Sequence, residues 1–145
     1  MKKIISLILS FVLISSANAF AVSIDDINSA IRDTEKYLYE NSQTPTVSSI
    51  GGEWLIMGLS RNDGDISDSY YEDYYNNVVN YVKECGGVLH NKKYTEYSRV
   101  ITALTSIGKD PQNVGGYNLL LPLGDFEKTT WQGINGAIWA LIALD

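Results

Sequence analysis

Trp131-Gln132-Gly133-Ile134-Asn135-Gly136-Ala137-Ile138-Trp139-Ala140-Leu141-Ile142-Ala143-Leu144 is the stretch that decides the fold. It shows no two-residue alternation and is apolar at almost every position after Gly136. It therefore reads as a helix that starts near Thr130, is greasy on all sides, and is covered by neighbours. The same character recurs earlier, in Trp54-Leu55-Ile56-Met57-Gly58-Leu59 within a helix expected over Ser48 to Ser60. It appears again in Val100-Ile101 through Leu104 and Ile107, within a helix expected over Lys93 to Ile107. Aligning Leu59, Leu104 and Leu144 puts small Gly58, Ala103 and Ala143 before them and aliphatic Ile56, Ile101 and Leu141 three positions back. The spacing of about 40–45 residues is that of a helical-hairpin array, in which each apolar helix is hidden by stacking on its neighbours.

The intervening segments supply wetter helices. Ile24, Ile27, Ile31, Thr34 and Leu38 fall at three- and four-residue steps, opened by Ser23 with Asp25 and Asp26 in the first turn. That pattern predicts an amphipathic helix whose acids suit the helix dipole. From Ser69 to Glu84 the apolar positions Tyr71, Tyr74, Tyr75, Val78, Tyr81 and Val82 form an aromatic stripe, with Ser67 or Asp68 as its expected cap and Gly86-Gly87 as its stop. Asp110 before Pro111 reads as an N-cap with proline in the first turn, and Gly115, Gly116 and Pro122 keep anything up to Gly124 short and broken. The expected fold class is all-α.

At the other end, Met1-Lys2-Lys3, the apolar run Ile4 to Ile14 and the small residues through Ala21 have the form of a secretory signal, with alternative cleavage sites at Ala17–Ala19 and Ala19–Ala21. The run is too short for a permanent membrane span, which needs about 20 apolar residues. Residues 1–21 are thus expected to be removed and 22–145 to form one helical domain, secreted or held at the cell surface. Of 145 residues, 45% are hydrophobic and 19% charged, a globular balance. The formal charge is −6, and −8 once Lys2 and Lys3 leave, with nine basic against 17 acidic residues. Such a balance disfavours a nucleic-acid partner bound through phosphates. Cys85 is the only cysteine, so no internal disulfide forms.

Three segments carry a family resemblance: Gly52-Glu53-Trp54-Leu55-Ile56-Met57-Gly58-Leu59-Ser60-Arg61, Tyr97-Ser98-Arg99-Val100-Ile101-Thr102-Ala103-Leu104, and Trp131 through Asp145. Together they resemble the alpha/alpha toroid of terpenoid cyclases, protein prenyltransferases and transcobalamin-like proteins, in its exported bacterial branch. The resemblance implies an incomplete toroid of about three hairpins, the N-terminal part of a longer one. It places the apolar helices inside, around a central cavity. Trp54, Tyr97, Trp131 and Trp139 are then the candidates to face a ligand, an apolar or ring-shaped small molecule. The alternative for each is core packing.

The catalytic motifs of those relatives are not found. Asp63-Gly64-Asp65-Ile66-Ser67-Asp68 lacks the adjacent acid pair of a D-x-D-D motif, and placing Gly64 at the sixth position of a calcium loop puts Leu59 and Arg61 where acids belong. Cys85 and the single histidine, His90, make no complete zinc site, and no G-x-S-x-G turn accompanies His90. The expectation is therefore an exported, non-catalytic binding or interaction module without cofactor or metal, whose partner is a small molecule or another surface protein domain. Two alternatives follow from the resemblance: a cyclase- or lyase-type enzyme with its catalytic residues in further hairpins, or a corrinoid-binding protein.

Overall fold

The computed structural model describes residues 22–47, 49–62 and 64–145, so the expected signal, residues 1–21, lies outside the described residues. Among the described residues there are six α-helices and no strand: α1 Ile24–Asn41, α2 Trp54–Ser60, α3 Asp68–Glu84, α4 Thr95–Ser106, α5 Phe126–Thr129 and α6 Ile134–Leu144. A short 3₁₀ turn, Leu121–Gly124, precedes α5. The protein is all-α. No helix among the described residues is long and apolar enough to cross a membrane.

The chain separates into two compact units, Met1–Asp33 and Thr34–Asp145, with the division falling inside α1. In the first unit Ser23 and Asp26 form a reciprocal cap. The Asp26 N–H donates to Ser23 Oγ at 3.1 Å and the Ser23 N–H donates to Asp26 Oδ2 at 3.3 Å, satisfying orphan donors at the start of α1. The expected apolar face of this helix is not buried. Ile24, Ile27, Ile31 and Leu38 are exposed, whereas Glu35 is buried and Tyr39 packs edge-on against Tyr70 at 5.1 Å.

The second unit is organised around α4, with α2 and α6 packed along it. Tyr97, Val100, Ile101 and Leu104 give α4 a buried stripe at helical spacing, which meets Ile56 and Leu59 of α2 and Tyr74, Val78 and Val82 of α3. The stripe of α3 is rotated from the sequence reading. Tyr70, Tyr74, Val78 and Val82, four residues apart, are buried, while Tyr81 is exposed. Tyr70 also donates its hydroxyl hydrogen to the Ser42 carbonyl at 2.7 Å, tying α3 to the segment after α1. Ser67 precedes α3 without a side-chain cap; its hydroxyl pairs with that of Ser69 instead.

Several expected boundaries moved for identifiable reasons. The second helix begins at Trp54 rather than Ser48 because Gly51 (φ 77°) and Gly52 (φ −134°, ψ −112°) break it. Such geometry is open to glycine and closed to residues with a Cβ. Gly133 (φ 68°) likewise cuts the last helix, so Trp131 lies in the turn between α5 and α6. Asp110 starts no helix; its carboxylate accepts from the Gln112 N–H at 2.8 Å in a local turn. The three-fold alignment on leucine holds for Leu59 and Leu104, both buried, and fails at Leu144, which is 52% exposed. Nor does Gly58 mark a close helix approach, since a Cβ there would meet open space. The close approach is at Gly136, where a Cβ would fall 2.0 Å from the Thr129 carbonyl oxygen, fixing α6 against the end of α5.

Candidate functional site

A groove of about 330 Å³ opens where α2 and α6 meet over the start of α4, lined by Trp54, Thr95, Arg99, Gln132, Asn135 and Trp139. Its size lies at the lower end of the range for small-molecule sites. Trp54 is the first residue of α2, and the Gly51–Gly52 break directs it there by starting the helix late. Trp139, one and a half turns into α6, meets it edge-to-face, with ring centroids 5.0 Å apart and planes at 70°. That is a favoured aromatic geometry, contributing about 0.5–1.5 kcal/mol beyond area burial. Trp54 keeps 45% of its surface exposed, so the pair forms a wall rather than a core.

The floor is charged and ordered. Glu53, just before α2, is fully buried, and its Oε2 accepts from Arg99 Nε at 2.9 Å. Arg99 Nη2 also donates to Glu96 Oε2, one turn earlier on α4, and the Tyr74 hydroxyl reaches Glu53 Oε1 at 3.5 Å. Burial pushes the Glu53 carboxyl above its ordinary value, and the Arg99 guanidinium opposes that rise. Burial would lower Arg99, but hydrogen bonds and charge from Glu96 and Glu53 outweigh it and hold Arg99 above its usual range. Tyr74 is pushed up by burial and then by the neighbouring Glu53 charge, which keeps its proton in place. These groups tie the start of α2 to α3 and α4, and removing Arg99 would strand the buried Glu53 charge.

The remaining wall comes from the turn before α6. Gln132 Oε1 accepts from the Thr95 N–H at 3.2 Å and from Thr95 Oγ1 at 2.9 Å, and so satisfies an orphan donor at the start of α4 from far along the chain. The Gln132 amide nitrogen, the whole Asn135 amide and Arg99 Nη1 have no hydrogen-bond partner among the described residues. All three border the groove.

Of the four side chains singled out from the sequence, the structure brings Trp54 and Trp139 together. Tyr97 is 2% exposed and is not part of the lining; its hydroxyl donates to the Gly87 carbonyl at 3.2 Å and accepts from the Leu89 N–H at 3.1 Å, a structural role. Trp131 is 59% exposed outside the groove, with Lys92 Nζ 5.9 Å from its ring centroid. Thr95, Arg99, Gln132 and Asn135 escaped the sequence reading. Arg99 lay inside a segment singled out for its apolar residues, and no local signal marked any of the four as lining a groove.

His90 and Cys85 serve local structure. His90 Nδ1 accepts from the N–H groups of Lys92 and Lys93, each at 3.0 Å, and Cys85 Sγ lies 3.5 Å from the Val82 carbonyl oxygen at the end of α3. Among the described residues no three of His, Cys, Asp and Glu converge as a metal site. A second hollow of about 340 Å³, near Asn62 and Tyr71, is bordered by the Lys109–Glu72 ion pair and has no aromatic pair. Set against known protein families, characterised proteins and solved structures, the chain matches none.

Proposed function

We propose that this chain is an exported, non-catalytic binding module, an arc of an alpha/alpha toroid whose small-molecule ligand lies in the groove between Trp54 and Trp139. The single observation that carries the reading is the edge-to-face tryptophan pair, with Trp54 45% exposed, over an ion-paired floor. A pair of large aromatics that served packing alone would be covered, and here the covering atoms are missing on one side. The packing of the apolar helices α2 and α6 on α4, with the more polar α3 adding Tyr74, Val78 and Val82 to the same core, supports the toroid arc. The ionisable groups under the groove are tied to one another, which suits holding a ligand better than moving a proton.

Isothermal calorimetry and tryptophan fluorescence against a terpenoid (farnesol), a corrinoid (hydroxocobalamin) and a glycan (chitotriose) test it. Binding of one of them that weakens in Trp54→Ala and Trp139→Ala is the expected result. A flat response to all three overturns the ligand groove and leaves docking onto another protein domain as the surviving reading.

A further inference from the structure

Which class of ligand suits the groove follows from the hydrogen-bonding capacity left on its walls. Thr95 Oγ1 donates its hydrogen to Gln132 and so keeps its acceptor lone pairs. With Gln132 Oε1 already engaged, that amide offers two N–H donors to the groove, and Asn135 offers two donors and an acceptor. Arg99 uses Nε on Glu53 and Nη2 on Glu96, and its Nη1 remains to donate. The walls therefore mix donors and acceptors within the span of one small ligand, and each group would lose water when a ligand entered.

Charge narrows the choice. Among the described residues Arg99 is the only cation lining the groove, and two carboxylates already neutralise it, so these three groups carry one negative charge in excess. A carboxylate or phosphate ligand meets no uncompensated positive charge there. An ammonium ion would suit the tryptophan faces, but it accepts no hydrogen bond. It would strand the donors of Gln132, Asn135 and Arg99, at about 1–3 kcal/mol for each one desolvated without a partner. A terpenoid strands them all as well.

What satisfies both walls is a ligand with an apolar face and a rim of hydroxyls that donate and accept equally. We infer that the groove binds a neutral pyranose unit of a glycan: its C–H face lies on the exposed indole of Trp54, and its hydroxyls exchange hydrogen bonds with Asn135, Gln132, Thr95 and Arg99. This rests on the binding-module reading and adds the ligand class to it. An indole presents a negative face to polarised C–H groups, and the amides fix the ring's orientation.

The test titrates the full chain with cellotriose and chitotriose, with trigalacturonate as the anionic counterpart and choline as the cationic one. The expected result is binding of a neutral trisaccharide with a change in tryptophan emission. Trp54→Ala should weaken it about tenfold, and Asn135→Ala about fivefold. Asn135 is exposed and makes no hydrogen bond among the described residues, so its variant keeps the fold even if loss of an indole disturbs α6. Phe126→Ala, at an exposed side chain outside the groove, should bind like the parent. Binding of trigalacturonate or choline in place of the neutral sugars overturns the inference and leaves the binding module standing. Sugar binding unchanged in both Trp54→Ala and Asn135→Ala also overturns it, by moving the sugar elsewhere. If none of these probes, nor farnesol or hydroxocobalamin, binds, both readings fall.

Discussion

Replacing Arg99 with Met should destabilise the protein far more than replacing Glu53 with Gln, although the two side chains share one ion pair. The asymmetry comes from what each substitution leaves behind. Without Arg99, the fully buried Glu53 carboxylate loses its one charged hydrogen-bond partner and retains the Tyr74 hydroxyl, 3.5 Å from Oε1, and a local backbone hydrogen bond. Stranding a buried charge in this way costs about 3–5 kcal/mol. Without the Glu53 charge, Arg99 still donates to Glu96, and its side chain is 14% exposed toward the groove, so water reaches what the amide does not satisfy. That leaves about 1–2 kcal/mol. Urea unfolding followed by far-UV circular dichroism separates them: a loss of about 4 kcal/mol moves the midpoint by about 2 M, against less than about 1 M for Glu53→Gln. Changing both residues, Glu53→Leu with Arg99→Met, removes the stranded charge and should recover most of the loss.

The same variant carries a pH signature. Burial already raises the Glu53 pKa, and removing Arg99 takes away the group that opposes the rise. A carboxyl raised in the folded state is favoured there when protonated. The penalty is therefore absent below the unfolded value of 4.5 and grows as pH climbs through the folded value. The stability gap between Arg99→Met and the parent should narrow steadily from neutral pH toward 4.5. Equal losses below about 1 kcal/mol for both single variants, with a gap indifferent to pH, would mean that Glu53 is solvated and that the clamp of α2 to α4 is wrongly drawn.

Two further expectations concern packing. Gly136→Ala drives a methyl into the Thr129 carbonyl and should cost about 1–3 kcal/mol, while Gly58→Ala, which meets nothing and sits inside α2, should gain about 0.5–1 kcal/mol; thermal melts of the pair decide, and equal effects would refute the close approach of α5 and α6. Tyr97→Phe leaves the buried Leu89 N–H without its acceptor and should cost about 1–3 kcal/mol in the same melts, with a neutral result showing that the amide finds water.

Much of the fold was legible because helical periodicity is a local property. The all-α class, the ends of α3 and α4 and the Ser23 opening of α1 follow from residues close in sequence. Rotation of a stripe was harder: Tyr70 and Tyr71 are chemically alike, and only the packed core decides that Tyr70 goes inward. The expected helices run across Gly51–Gly52 and Gly133, and this hides both the short α2 and the placing of Trp131 outside α6. For the site, the two tryptophans were visible as large aromatics on apolar helices. Their polar companions were not, because Gln132 meets Thr95, and Arg99 meets Glu53, only after distant segments converge. No local pattern encodes such pairs.

The two indoles belong to helices that each rest on α4, and they touch at the rim. Widening the mouth needs one ring to swing, at about 1 kcal/mol for the lost contact, while the hydrophobic interior stays shut. On the proposed binding reading, such a jaw would admit thin and thick guests at nearly the same cost, and selection among them would fall to the amides below, which would read the pattern of polar groups and leave bulk largely unread.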